Sequence, residues 1–313
     1  MIVTVTANAA IDRTIRVDRL VPGRLHRSRE DHAQAGGKGL NVSRVLQTLG
    51  VPVHAIVAVG GASGDFICGD LTRAGIPHTA VNAEGASRTC LELVEDASGV
   101  VTQIHGEGIR GCTELAASLA EAVTARAAGA TWVALCGSFP RGFPPAGVDA
   151  LALAARAAGA RLAADTSGEA LARLIELVPD LVRVNRFELV HAVALGGGRA
   201  QGQSLGVGWP GPALPELALV SDGAAPVRTW SRTRGRAIVT PPAVAVSNPI
   251  GCGDSMLAGI LAELQGGGDV DSAIAFGIGL GAAQAEGRVP GRPDVARARE
   301  LASGVSVRWR AES

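Results

Sequence analysis

Residues 2–6 alternate between aliphatic side chains and threonine and are wholly β-branched, which predicts an opening strand. From about 40 to 49, Val42, Val45, Leu46 and Leu49 recur at helical spacing, so Gly36-Gly37 is expected to open a helix that Gly50 stops. Strand-like runs then follow at 53–59, 132–136, 161–164 and 181–184. Ala-, Leu- and Arg-rich helical stretches lie between them, notably at 113–128, 146–158 and 168–177. Alternation of this kind predicts a parallel sheet covered on both faces.

Two segments depart from that rhythm. Residues 13–34 read as extended pieces broken by Pro22-Gly23, rich in Arg, and predict a small sheet outside the main core. Residues 87–104 read as a hairpin turned at Ala97-Ser98-Gly99. The stretch 195–215 is crowded with Gly and Pro and predicts an irregular loop. Strand-like runs resume at 217–220, 227–230 and 237–239, and helices are expected at 253–264 and 271–285. No repeat of fixed period is visible.

Composition narrows the class. A chain of 313 residues fits one large domain with a small appendage. It is 47% hydrophobic and 19% charged, as a folded protein should be. Lys+Arg and Asp+Glu each total 29, so no charge excess points to nucleic acid or an anionic membrane. Cys68, Cys90, Cys112, Cys136 and Cys252 are odd in number and lack C-x-x-C spacing, which argues against a disulfide framework or zinc site and suits a reducing cytoplasm. The first residues show no signal-peptide pattern, and the longest nonpolar run, 273–283, is too short for a bilayer. Lys38 is the one lysine in a chain that otherwise uses Arg. A compact ammonium fits where a guanidinium fork would not, which singles Lys38 out.

Three constellations carry chemistry. Asn248-Pro-Ile-Gly-Cys-Gly-Asp-Ser255 precedes an apolar helical run and places Gly251 and Gly253 at a helix mouth, where free N–H groups favour an anion. Asp254 would repel phosphate, so it makes sense as a base that takes a hydroxyl proton while the backbone holds the phosphoryl group. Taken alone, the same pattern is as often a helix cap. Ala35-Gly-Gly-Lys-Gly-Leu-Asn41 clears space beside a ligand and offers Lys38 and Asn41 to it; it is not a Walker A loop. Asn8 and Asp12 follow the first strand, at the carboxyl end where open α/β sheets bind ligands.

In order, the chain reads T-A-N-A-A-I-D-R-T, A-G-G-K-G-L-N-V-S-R-V-L, G-S-F-P-R-G, D-T-S-G-E-A-L, N-R-F-E and G-C-G-D-S-M-L-A-G. From about residue 2 to 303 this resembles the ribokinase-like (PfkB) family of sugar kinases, in its 1-phosphofructokinase and tagatose-6-phosphate kinase branch. The resemblance implies a single kinase domain over 1–313, a three-layer α/β/α sandwich with a mainly parallel central sheet. It also implies a small β-sheet lid, near 13–34 and 87–104, that often packs on a second subunit, hence a homodimer. It implies Asp254 as base, with the amides of Gly251, Cys252 and Gly253 as anion hole, and Asp12, Gly37, Lys38 and Asn41 on the sugar. Asn185, Ser221 and Gly223 would serve ATP, and Glu188 magnesium, held largely through phosphates and water.

A phosphorylated sugar needs paired cationic donors. Arg88 matches the branch's Thr-Arg segment; Arg27 and Lys38 could join it, with Arg24 near, and Ser138 could add a hydroxyl. The resemblance implies ATP-dependent phosphorylation of a hexose phosphate, foremost fructose 1-phosphate to fructose 1,6-bisphosphate. Tagatose-6-phosphate kinase, fructose-6-phosphate kinase and a catalytically weak sugar-phosphate binder remain alternatives. The nucleotide half departs from the family. Arg183-Val184-Asn185 stands where Lys-Pro-Asn is usual, and Pro226 replaces a glycine of the Ser-x-Gly turn. Cys252 replaces a smaller residue in the anion hole, where a thiol is expected to be open to oxidation.

Overall fold

The structure, a computed structural model, describes residues 1–196 and 209–310. Its first part runs β1 (Ile2–Thr6), β2 (Ala10–Val17), β3 (Glu30–Gly36), α1 (Lys38–Thr48), β4 (Val53–Val59), α2 (Gly61–Arg73), β5 (His78–Asn82), β6 (Arg88–Glu95) and β7 (Val101–His105). Next come α3 (Thr113–Arg126), β8 (Trp132–Gly137), α4 (Pro145–Ala157), β9 (Arg161–Thr166), α5 (Gly168–Leu177), β10 (Leu181–Asn185) and α6 (Arg186–Leu195). The last part holds β11 (Leu217–Asp222), β12 (Ala225–Ser231), β13 (Gly235–Val239), α7 (Cys252–Gln265), α8 (Val270–Glu286), α9 (Val295–Ser303) and β14 (Trp309–Arg310).

Ten strands form one sheet in the order β14-β13-β12-β11-β10-β9-β8-β1-β4-β5. From β5 to β11 every pairing is parallel; β12, β13 and β14 add an antiparallel edge. Strand alternation divides the core. Ile2 of β1 joins Val42, Leu46, Leu257, Ile274 and Leu301 from α1, α7, α8 and α9 on one face. Val3 and Val5 join Leu115, Leu119 and Leu151 from α3 and α4 on the other. Every residue of β1 is buried, Thr4 and Thr6 included, as a strand covered on both faces requires. The fold is therefore the expected three-layer α/β/α sandwich.

The chain leaves β1 toward β4 and β5 on one side and toward β8 and its successors on the other. That reversal opens a crevice at the carboxyl ends of β1 and β8, where such sheets bind ligands. Beside it stands a second sheet, ordered β3-β2-β6-β7, in which Ala10 is paired with both Gly36 and Arg88. It gathers the segments expected to form a small separate sheet, including the hairpin across 87–104.

Several elements were not foreseen. Helix α2 carries Gly61, Gly64 and Gly69, poor helix formers, and buries only one stripe, Gly64, Ile67 and Leu71. Helices α6 and α9 and strand β5 also escaped the pattern, and α1 starts at Lys38, two residues earlier than expected. Most of the loop expected at 195–215 lies outside the described residues. Among the described residues no helix is long and apolar enough to cross a membrane.

Candidate active site

Helix α7 opens on Gly251, whose φ of 77° is a left-handed conformation that glycine adopts without strain. No side chain caps this end, so its first N–H groups stay available. A Cβ on Gly253 would collide with the Arg183 guanidinium, which lies against the backbone there. Asp254 is not a cap. It lies buried in the first turn and accepts a hydrogen bond from Asn41 Nδ2 at 2.8 Å. Burial raises its pKa to about 7, with Asp165 adding to the rise and Lys38, Asn41 and Arg183 opposing it. Burial, helped by Asp254, also pushes the Cys252 thiol up to about 11. A thiol raised in this way is little ionised at neutral pH, which disfavours the oxidation expected of it.

Behind Asp254 lies a cluster of charge. Lys38 Nζ donates to Asp165 Oδ1 at 2.5 Å and to Glu188 Oε1 at 2.7 Å. Arg183 donates to Asp165 Oδ2 at 3.1 Å and to Ser221 Oγ at 2.8 Å. Burial alone would lower the Lys38 pKa, but Asp165 and Glu188 outweigh it and raise it. Burial alone would raise Asp165; Lys38 and Arg183 hold it below the usual carboxylate range. Sequence reasoning placed Lys38 on the sugar, named Arg183 only as a departure and gave Asp165 no role. Asp165 carries two local signals, its place at the end of β9 beside the crevice and its position at the head of the D-T-S-G-E-A-L motif. Its partners come from other elements, so nothing nearby in the chain reveals them.

Asn185 and Glu188 form a reciprocal capping box on α6: Glu188 N donates to Asn185 Oδ1 at 2.9 Å, and Asn185 N to Glu188 Oε2 at 3.0 Å. Gly223, at φ 58°, makes the turn between β11 and β12. Among the described residues no group of three or more His, Cys, Asp or Glu is placed to hold a metal.

Across the crevice, Asp12 projects from β2 over Gly36, where any side chain would strike its carboxyl group. Burial and then Glu92 raise its pKa to about 6, against the Gly37 N–H, Arg44 and Arg88. Gly37, at φ 108°, is packed against Thr6 and Ala9. Arg88 Nη2 donates to Ser138 Oγ at 3.3 Å, and Asn8 Nδ2 approaches the same hydroxyl at 3.5 Å. Arg88 Nε and Asn8 Oδ1 are buried and carry no hydrogen bond within the protein. Gly108 closes over them, since a Cβ there would come within 2.6 Å of Asn8 Oδ1. Arg27 is not brought to this cluster; it is exposed in the 18–29 connection, as is Arg24.

A helix mouth with free N–H groups, a buried carboxyl group in its first turn and a crevice at the strand ends suit a phosphotransferase that acts on an alcohol group. The description "pfkB family carbohydrate kinase" matches residues 3–293, and the chain belongs to that family. It is 31% identical to a 1-phosphofructokinase of Rhodobacter capsulatus, over 98% of this chain and 97% of that one. It is 33% identical to a 1-phosphofructokinase of Xanthomonas campestris, over 84% and 83%. Among solved structures it superposes on phosphofructokinase-2 from Escherichia coli in complex with fructose-6-phosphate with a TM-score of 0.83, at 24% identity over 96% of this chain and 98% of that one. A possible 1-phosphofructokinase from Thermotoga maritima gives the same TM-score of 0.83 at 22% identity over 99% of each chain.

Proposed function

We propose that this kinase transfers the γ-phosphoryl group of ATP to fructose 1-phosphate, giving fructose 1,6-bisphosphate. The observation that carries the reading is Asp254, a buried carboxyl group of pKa about 7 in the first turn of a helix whose mouth no side chain caps. A base of that pKa is well matched to a hydroxyl acceptor at neutral pH. Asn41 orients the carboxylate, and the amides of Gly251, Cys252 and Gly253 face the transferred phosphoryl group. Lys38 and Arg183 supply positive charge close by, where excluded water strengthens its effect. Asp12 and Gly37 take the sugar, and Arg88, Ser138 and Asn8 its existing phosphate. The named relatives favour the 1-phosphate.

Asn185, Ser221 and Gly223 are proposed on the ATP side. Mg2+ is the proposed metal, and it would neutralise phosphate charge. The donor set fits an ion carried mainly by phosphates and water: Glu188 is a hard oxygen donor, but its two oxygens are already engaged by Lys38 and the Asn185 N–H. Arg27, exposed on the 18–29 connection, is left as a proposal for the substrate phosphate that rests on the sequence alone. The second sheet is proposed as a lid and as the contact of a homodimer, supported by Ile104, 56% exposed on its edge strand. Free cysteines suit the cytoplasm, the proposed compartment.

ADP release would be measured with Mg-ATP against fructose 1-phosphate, fructose 6-phosphate, tagatose 6-phosphate and fructose. Turnover confined to fructose 1-phosphate and lost on chelating the metal is expected. Turnover only with another sugar would reassign the substrate. No ADP from any of them, with a raised melting temperature on adding a sugar phosphate, would mean a binding protein.

A further inference from the structure

Arg44 follows Asn41 by one turn of α1, on the same face of the helix. Its guanidinium is buried, at 4% exposure. Nη2 donates to Ala35 O at 2.6 Å and to Asp70 Oδ2 at 3.2 Å, and Nη1 reaches Asn41 Oδ1 at 3.4 Å. Asp70, on α2, also accepts from Ala35 N at 2.8 Å. One ion pair, drawn from two helices, therefore holds both polar groups of Ala35. That residue ends the run of β3 into Gly36-Gly37, where the second sheet meets α1 and Asp12 lies against Gly36.

The two ends of an asparagine amide are alike in shape and opposite in function. Arginine can only donate. Facing Arg44, the amide must present its oxygen there, which leaves its NH2 for Asp254, at 2.8 Å. Turned over, it would present a carbonyl oxygen to a carboxylate. We propose that Arg44, tethered by Asp70, is a positioning residue for phosphoryl transfer: it locks the Asn41 amide with its donor toward Asp254 and fixes the peptide from which the sugar-binding sheet departs. This rests on Asp254 being the base.

The groups that face Asp254 are Asp165 from β9, Lys38 and Asn41 from α1 and Arg183 from β10, with the Cys136 and Cys252 thiols from β8 and α7. Arg44 shares no hydrogen bond or ion pair with the three charged ones. The charges nearest to it are Asp70, Arg292 and Asp12. An effect of Arg44 on the base should therefore pass through Asn41.

The test is the dependence of kcat on pH in the wild type, Arg44→Met, Arg44→Lys and Asn41→Ala, and in each Arg44 change combined with Asn41→Ala. Arg44→Met is expected to move the acid limb upward by about one pH unit, so that kcat at pH 6 falls about tenfold further than at pH 9. The KM for ATP should change less than about twofold, since the lock does not touch the nucleotide side. Arg44→Lys keeps a charge for Asp70 but cannot span all three partners, so it should move the limb part of the way. It carries the test if Arg44→Met fails to fold. In the Asn41→Ala background neither change should move the limb further. An unmoved limb in a folded Arg44 variant, or an equal shift with Asn41→Ala present, would overturn the proposal. A wild type without turnover would overturn the proposed function, and this inference with it; a wild type that turns over with an unmoved limb would overturn this inference alone.

Discussion

Asp254 ties chemistry and stability together. In the proposed role of base its carboxylate is the active form, so kcat/KM should rise with pH through about 7 and level off above it. Asp254→Asn should lower kcat by about 10²–10⁴-fold, measured at pH 8 where the wild-type group is ionised. The same substitution should raise the melting temperature. The folded pKa lies above the unfolded one, so the native state binds the proton more tightly and loses stability as pH climbs from about 4 to above 7. The gain from Asp254→Asn should therefore be largest at pH 8 and vanish near pH 4, which thermal melts across that range would check. Arg88→Ala should raise the KM for the phosphorylated sugar about tenfold or more, through loss of a charge-assisted contact, and leave the KM for ATP nearly unchanged. Equal effects on both would remove Arg88 from the phosphate. At this scale legibility followed chemical oddity. Asp254 beside two glycines and Lys38 in an arginine-rich chain announced themselves, whereas Asp165 and Arg44 sat inside recognised motifs without any chemical oddity to suggest a role. Their meaning comes from partners on other elements, as Asp165 has in Lys38, 127 positions away.

Helix ends decide much at the next scale. Gly253→Ala would drive a methyl group into Arg183, whose guanidinium is anchored by Asp165 and Ser221 and cannot swing clear. The anion hole should widen, with kcat down by about 10²-fold or more, the usual effect of losing one such donor. Near-normal kcat would mean that the amides there do not face the reacting group. Helix α5 ends on Val178, at φ 51°, with Pro179 next in the chain. Left-handed backbone costs a β-branched residue about 1–2 kcal/mol, and a following proline disfavours it further. Arg156 donates to the carbonyls of Leu177 at 2.6 Å and Val178 at 3.0 Å, which helps to hold the turn. Val178→Gly should raise the melting temperature by about 1–3 °C, the relief of strain being partly offset by unfolded-chain entropy. A lower melting temperature would mean that the turn is not strained. Long buried strands such as β4 were read from sequence to the residue, because two covered faces leave an almost wholly apolar run, broken in β4 only by His54 near its start. Helix α6 was not, because Phe187, 77% exposed, and Val190, 42% exposed, blur the contrast between its faces.

For the whole molecule, the order of strands matters more than their number. The reversal at β1 sets Asn8, Ser138 and the second sheet around one crevice, and α7 arrives from the far end of the chain to complete it. Alternation along the sequence implied a parallel sheet, but not which strands are neighbours, since that is decided by how the helices pack across both faces. The proposed dimer belongs to this scale. Light scattering should give twice the chain mass of 31.6 kDa, and Ile104→Asp, which puts a charge on the edge of the second sheet, should halve it. A wild type that scatters as one chain would remove the dimer.

The solitary lysine has a consequence for handling the protein. Lys38 is gripped by two carboxylates that keep it protonated, so it is a poor nucleophile toward acylating reagents. No other side chain in the sequence offers an amine. An amine-reactive dye should therefore leave the side chains unlabelled in the folded protein and reach Lys38 only once unfolding breaks its two ion pairs.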